Sequence, residues 1–159
     1  MMFRELTRKK QALSREECVE ILKREPRGVL SVLGDDGYPY GMPMDHWYCE
    51  DDGCLYFHSG KKGHKMDAMA RCGKVSYCVY DQGEYRDGDW APYIRSVIVF
   101  GRVRMVTEYD EIIRISRRLS LKYTQDLEYI EYEVRHSGPA TAVFAIVPEH
   151  MTGKTVHEK

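Results

Sequence analysis

The stretch Gly53-Cys-Leu-Tyr-Phe-His-Ser-Gly-Lys-Lys-Gly-His-Lys65 decides how the chain is to be read. Cys54 to His58 has the aromatic and aliphatic make-up of a strand. Ser59 to His64 is polar and cationic and is loosened by Gly60 and Gly63. A short helix is expected to follow at once, from Lys65 to Arg71. A strand that hands a hydroxyl, ammonium groups and backbone N–H groups to a helix start has the parts needed to hold a phosphate. Taken alone, the loop fits a solvated turn equally well. It is not a Walker loop: only two residues separate Gly60 from Gly63, and His64 stands before Lys65. No G-x-G-x-x-G follows a strand, so a Rossmann site is excluded.

Upstream, Ser14-Arg-Glu-Glu17 is a capping box, and Cys18, Ile21 and Leu22 follow at helical spacing. Pro26 stops that helix near Glu25. Gly28 to Leu33 reads as a strand, and Asp36-Gly37 as a hairpin turn. Tyr38 to Met44 is a second strand, which Pro39 and Pro43 restrict to an edge or a bulge. His46 to Glu50 continues as strand, and Asp51-Asp52-Gly53 turns tightly into Cys54. Downstream come a strand over Lys74 to Tyr80, a polar loop over Asp81 to Asp89, and a long strand over Tyr93 to Val106 with a bulge or bend at Gly101. Ile112, Ile113, Ile115 and Leu119 make Tyr109 to Tyr123 a helix, and residues 124–136 are assigned a second one. Pro139 to Val147 is the last strand, and the tail after Pro148 reads as irregular. The sum is an α+β fold, with six or so antiparallel strands in a small barrel and flanking helices. The whole chain, 1–159, is one domain, with an N-terminal arm (1–12) and a C-terminal tail (148–159).

Composition narrows the function. The 24 basic and 25 acidic side chains leave a net charge of −1, without the basic excess of a nucleic-acid binder. No apolar run has membrane-spanning length, and Met-Met-Phe-Arg-Glu-Leu lacks a signal-peptide core, so the expected location is the cytoplasm. The five cysteines contain no C-x-x-C pair and are read as free thiols or small hydrophobes. His46 and Cys49 lack a matching second pair, so no metal site is expected. Asp35-Asp36 and Asp51-Asp52 sit in turns that favour aspartate for backbone reasons. Ser31, Ser59, Ser76 and Ser96 have no nucleophile-elbow context.

Six segments occur in a telling order: Asp35-Asp-Gly-Tyr-Pro-Tyr-Gly-Met-Pro-Met44, Leu55-Tyr-Phe-His-Ser59, Gly63-His-Lys65, Lys74-Val-Ser-Tyr-Cys-Val79, Arg95-Ser-Val-Ile-Val-Phe-Gly101 and Glu149-His-Met-Thr-Gly-Lys154. Together they make the chain resemble the nitroimidazole-resistance (Nim) branch of the pyridoxamine 5′-phosphate oxidase-like, FMN-binding split-barrel proteins. The resemblance spans nearly the whole chain. It implies a six-stranded split barrel that forms a homodimer with FMN in the interface. It also implies the flavin contacts: Gly41, Met42, Pro43 and Met44 under the ring; Phe57, His58 and Ser59 beside the ribityl chain and phosphate; His64 and Lys65 at the phosphate; and Arg95, Ser96 and Val97 from the partner subunit. A phosphate monoester carries about two negative charges, which Lys65, the Ser59 hydroxyl and helix-start N–H groups suit chemically.

Where the true pyridoxamine phosphate oxidases carry an arginine and a lysine on the strand matching residues 42–47, this chain has Met42 and Trp47. Their C-terminal substrate motif has no counterpart either. Lys61, Lys62 and Lys154 are candidates for a second phosphate cation. Flavin binding therefore carries over better than vitamin B6 oxidation. The implied activity is an FMN-dependent, nitroreductase-like oxidoreductase. It would reduce a small aromatic or nitro compound, with NAD(P)H as a possible donor and His46, His58 or Tyr93 as proton sources. A non-catalytic flavin- or haem-binding protein for storage or redox sensing is the alternative.

Overall fold

The computed structural model describes residues 2–159. Helix α1 (Arg15–Arg24) begins where its capping box requires. Glu17 N donates to the Ser14 hydroxyl at 3.2 Å, and Ser14 N donates to the Glu17 carboxylate at 2.8 Å. Two donors that a helix start leaves open are thereby satisfied. Past Pro26, β1 (Arg27–Leu33) turns into β2 (Pro39–Asp45). Asp36 (φ 56°) and Gly37 (φ 76°) both take the left-handed region at this turn, as an Asp-Gly hairpin does. The remaining elements are β3 (Trp47–Tyr48), β4 (Leu55–Gly60), α2 (His64–Arg71), β5 (Lys74–Tyr80), β6 (Tyr93–Val106), α3 (Tyr109–Leu121), α4 (Leu127–Ser137) and β7 (Thr141–His157).

The seven strands form one antiparallel sheet in the order β2-β1-β5-β6-β7-β4-β3. Its two edges, β2 and β3, are consecutive in the chain with only His46 between them. The sheet thus curls back on itself and is closed by the chain rather than by a ladder, which makes a barrel with a split. Seven strands replace the six expected because His46 divides β2 from β3. The two prolines of β2 are tolerated because it is an edge.

The C-terminal end departs from the sequence reading. Residues 148–157 are not an irregular tail but the second half of β7, paired with β6 as far as Tyr93↔His157. Pro148 read as a stop, yet it lies opposite Gly101 at a register shift between Phe100 and Gly101. A proline is tolerated at such a bulge because the ladder is already interrupted there. Gly101 is required at the same place: a Cβ there would collide with the Val147 carbonyl. The N-terminal arm lies back on this region, with Phe3 stacked on the His150 ring at 4.8 Å.

Inside the barrel, Leu30, Phe57, Tyr77, Val79, Val97, Val99 and Phe144 are fully buried. Phe57 stacks on Phe144 at 5.1 Å and meets the Tyr77 ring edge-on at 4.9 Å. Each such side chain contributes roughly 1.5–3 kcal/mol by leaving water. Helix α1 joins this core through Cys18, Ile21 and Leu22. A second, smaller cluster lies where Ile115 of α3 packs with Cys49, Cys54, Tyr56, Val143 and Ala145. The outer face of β1, β2, β5 and β6 stays open, with Ile98 and Phe100 exposed on it. Among the described residues no helix is long and apolar enough to cross a membrane.

Candidate functional site

The split brings the end of β2 near the end of β4 and the first turn of α2. Between them lies an open depression of about 400 Å³, lined by Arg27, Pro43, Met44, Asp45, His58 and Lys65. Four of the expected flavin contacts, Pro43, Met44, His58 and Lys65, thus line one depression. Arg27 and Asp45 are additions. They face each other across the β1–β2 ladder, and Arg27 Nε donates to Asp45 Oδ1 at 2.7 Å. The signal for them was present: a hairpin centred on Asp36 sets residue 27 opposite residue 45.

The floor of the depression is fixed from below. Met44 is buried, and its carbonyl accepts the Tyr77 O–H at 2.7 Å. The rim carries Lys65 from a helix start that no side chain caps. The N-cap residue, Gly63, has φ 128°, a value L side chains avoid. Asp67 N is the first to donate along the helix, to Gly63 O at 3.1 Å. The N–H groups of His64, Lys65 and Met66 accordingly have no intrahelical acceptor. His64 anchors this turn: it stacks on Tyr40 at 4.1 Å, and its Nε2 accepts from Asp35 N at 3.3 Å. Asp35 is in turn bound by Arg71 at 2.8 Å. Crowding around the His58 ring removes water and lowers its pKa, and the Lys65 charge pushes the same way against Asp45.

The other expected contacts lie elsewhere. Gly41 sits on the outer sheet face opposite Ser31, whereas Met42 points inward and packs on the main core. Phe57 and Val97 are fully buried core residues. Ser59 pairs with Ala142 near the end of β4. Arg95 and Ser96 are on β6, three strands from β2 and two from β4, and neither lines the depression. Arg95 is held by the Asp81 carboxylate, with Nε 3.0 Å from Oδ2. Within one chain, then, Arg95, Ser96 and Val97 do not reach the depression. Lys61 and Lys62 are exposed in the turn before α2, and Lys154 pairs with Ser96.

The three proposed proton sources separate clearly. His46 is fully buried. Its Nε2 lies 2.6 Å from the Leu22 carbonyl, which can only accept, so Nε2 carries the proton. Nδ1 then accepts from the Tyr77 hydroxyl at 2.7 Å, whose single proton is shared with the Met44 carbonyl. Lys122 Nζ donates to Glu25 O at 2.7 Å and to His46 O at 2.8 Å, and lies 3.3 Å from His46 Nε2. Burial, with the Lys122 charge behind it, lowers the His46 pKa to about 4. His46 is a structural pivot at the split. Tyr93 is stacked on His157 at 4.2 Å with Arg86 over its ring. Only His58 faces the depression. No group of three or more potential metal ligands exists among the described residues.

A barrel split at one seam, with a cationic helix start beside the seam, defines the class, and the family pattern agrees with it. The pattern described as pyridoxamine 5′-phosphate oxidase matches residues 14–155, and the chain belongs to that family. Solved structures share the fold. A candidate 5-nitroimidazole antibiotic resistance protein of Bacteroides thetaiotaomicron is 20% identical with a TM-score of 0.75, the match covering 91% of this chain and 86% of that one. A conserved hypothetical protein of Mycobacterium tuberculosis is 21% identical with a TM-score of 0.78, covering 94% and 90%. A FAD-binding protein of Mesorhizobium loti is 23% identical with a TM-score of 0.65, covering 92% and 97%. No curated protein matches the chain.

Proposed function

We propose that the protein is an FMN-dependent oxidoreductase of the nitroreductase type, working as a homodimer on a small, flat, electron-poor acceptor. The observation that carries this reading is the convergence of Pro43, Met44, His58 and Lys65 on one open depression at the split. The donor set there suits a flavin phosphate: the Lys65 ammonium, the free N–H groups that open α2, and the Ser59 hydroxyl nearby. Arg27 on the rim and Lys61 or Lys62 in the adjoining turn are the second cations. Pro43 offers an apolar surface without an N–H donor to the ring. When bound, the flavin supplies the passage of electrons from a donor such as NAD(P)H to the acceptor. The chain binds and orients it, and His58 is the proton source at the rim. Pyridoxamine phosphate oxidation is not part of the reading, since Met42 is turned into the core and Trp47 lies against Tyr56.

An open sheet face supports the second subunit of this reading. The outer face of β1, β2, β5 and β6 is open and carries small or apolar side chains around Gly41, Ser31, Cys78 and Ile98. A second copy seated on that face would bring the start of its β6, with Arg95 and Ser96, toward the depression, which one chain alone cannot do.

The test is the spectrum of the purified protein with release of its ligand. A flavin absorbance that NAD(P)H bleaches and a nitroaromatic restores is the expected result, and the released molecule is FMN rather than FAD. A protein that holds flavin but resists every donor is a storage or sensing protein. A Soret band without flavin makes it a haem binder. Preparations that stay colourless after soaking with FMN overturn the proposal.

A further inference from the structure

On the other side of the barrel from the outer face, the β3–β4 hairpin places two thiols together. The ladder pairs Trp47 with Tyr56 and Tyr48 with Leu55. Its next step sets Cys49 opposite Cys54, and Cys49 N donates to Cys54 O at 2.9 Å. Gly53, at φ 72°, donates its N–H to Cys49 O at 2.8 Å. This is a glycine bulge, in which Gly53 and Cys54 together oppose Cys49. Side chains alternate along each strand, so Cys49 and Cys54 both project to the side of Trp47 and Tyr56, into the cluster beneath α3. Asp52 lies beside this pair: Cys54 Sγ donates to its backbone carbonyl at 3.8 Å, and its carboxylate accepts from Cys54 N at 2.8 Å. Opposed residues of an antiparallel pair have Cα atoms about 4.5–5.5 Å apart, inside the span of about 4.4–6.8 Å that a disulfide bridges.

We propose that Cys49 and Cys54 are a reversible redox site whose oxidant is a hydroperoxide. Both cysteines are buried, but Cys49 is among the residues lining an open cavity of about 390 Å³ between the hairpin, Lys23 of α1 and the C-terminal end of α3, which gives an oxidant its approach to this pair. The Cys49 proton passes to the peroxide oxygen that leaves. The Cys49 sulfur attacks the outer peroxide oxygen, the O–O bond breaks, and the other oxygen leaves as an alcohol, or as water when the oxidant is hydrogen peroxide. Cys49 then carries a sulfenic acid. The Cys54 sulfur attacks the Cys49 sulfur, and the hydroxide that departs takes up the Cys54 proton as water. Two thiols lose two electrons and the peroxide gains them. Burial raises the Cys54 thiol pKa, the Asp52 charge adds to the rise, and Arg104 beside it opposes it only in part. The bridge fastens the hairpin that forms one edge of the sheet, a residue away from the His46 pivot.

The sequence makes the test clean. Trypsin, which cuts after lysine and arginine, releases residues 28–61 as one peptide, with Cys49 and Cys54 as its only cysteines. The reduced protein is treated with hydrogen peroxide at a dose that fully oxidises free glutathione. It is then denatured, alkylated with iodoacetamide, digested and weighed. The expected peptide has lost two hydrogen atoms and carries no alkyl group, and dithiothreitol before alkylation restores two. Cys49→Ser and Cys54→Ser each abolish the loss of two hydrogens. The wild-type measurement decides even if a variant fails to fold. Two alkylated thiols after peroxide, or sulfinic acids without a cross-link, overturn the proposal. So does a disulfide from either cysteine to Cys18, Cys72 or Cys78.

Discussion

Two histidines stand near the split in opposite circumstances. His46, between β2 and β3, has both ring nitrogens engaged and no exposed surface. His58, at the end of β4, makes no side-chain hydrogen bond among the described residues and opens onto the depression. The contrast follows from how the barrel closes. A sheet whose edges do not pair must satisfy the backbone groups of the linking residue by other means. Here Tyr123 and Lys122 do so, the Tyr123 hydroxyl lying 3.0 Å from both the His46 N and its carbonyl. Where the chain crosses the seam it is tied into a polar knot; where it does not cross, the seam stays open and can receive a ligand.

The largest effect should come from cutting the knot. His46→Ala leaves a buried cavity and takes the short donor from the Leu22 carbonyl, which keeps only Lys122 at 3.5 Å, while the Tyr77 hydroxyl keeps the Met44 carbonyl. A lost buried hydrogen bond costs about 1–3 kcal/mol and emptying a large buried site costs about 2–5 kcal/mol, so the variant should lose about 3 kcal/mol or more in urea unfolding. The fraction of folded molecules that hold flavin should change little. Loss of flavin without loss of stability would erase the distinction between the two histidines.

The same residue sets a pH response. The His46 pKa falls from an ordinary 6.5 to about 4 in the folded protein. The unfolded chain therefore binds a proton first as pH drops, and protonation favours unfolding. The stabilisation is fully present above about pH 6.5 and is lost as pH falls toward about 4, by about 3 kcal/mol in all. Unfolding free energies of the wild type and of His46→Ala should converge over that window. Parallel curves would show that His46 is already charged in the folded state.

Much of this arrangement was legible in the chain. The capping box at Ser14, the Asp36-Gly37 turn, the prolines of β2 and the bulge at Gly101 each carry a local physical rule, and each rule was obeyed. The length of β7 was not legible, because Pro148 breaks a strand unless it sits at a bulge, and the register shift that makes one here depends on pairing with Phe100 and Gly101, nearly fifty positions away. The roles of the site residues were legible only in part. A strand pattern says that Met42 and Met44 share a face, but not which neighbours fill it. Phe57 and Val97 belong to the core for the same reason: an apolar residue next to a polar loop is drawn to the interior unless something outside covers it. His46 and His58 look alike in sequence, and only the curl of the sheet buries one and exposes the other.

Lys65→Ala addresses the open side. Lys65 has no ion pair among the described residues, so its loss should leave the unfolding midpoint nearly unchanged. Flavin affinity should fall, since a hydrogen bond to a charged group contributes about 1.5–3 kcal/mol. Titration of apo-protein with FMN measures it, and unchanged affinity would remove Lys65 from the phosphate site.

The smallest change, and the most specific, concerns His58. As a proton source at the rim it must be protonated before each transfer, so turnover should rise as pH falls through its pKa, which lies below the ordinary histidine value. His58→Gln keeps the size and a hydrogen-bond donor but cannot titrate. It should cost about 1 kcal/mol or less in flavin affinity and should flatten that limb of the pH–rate profile. The Lys65→Ala variant then provides an internal check. The Lys65 charge is one of the two causes that hold the His58 pKa down, so removing it should move the inflection to higher pH. An inflection that vanishes in His58→Gln and shifts upward in Lys65→Ala identifies one titrating group seen by one nearby cation. An inflection that ignores both changes belongs to the acceptor or the cofactor, and His58 then only lines the depression.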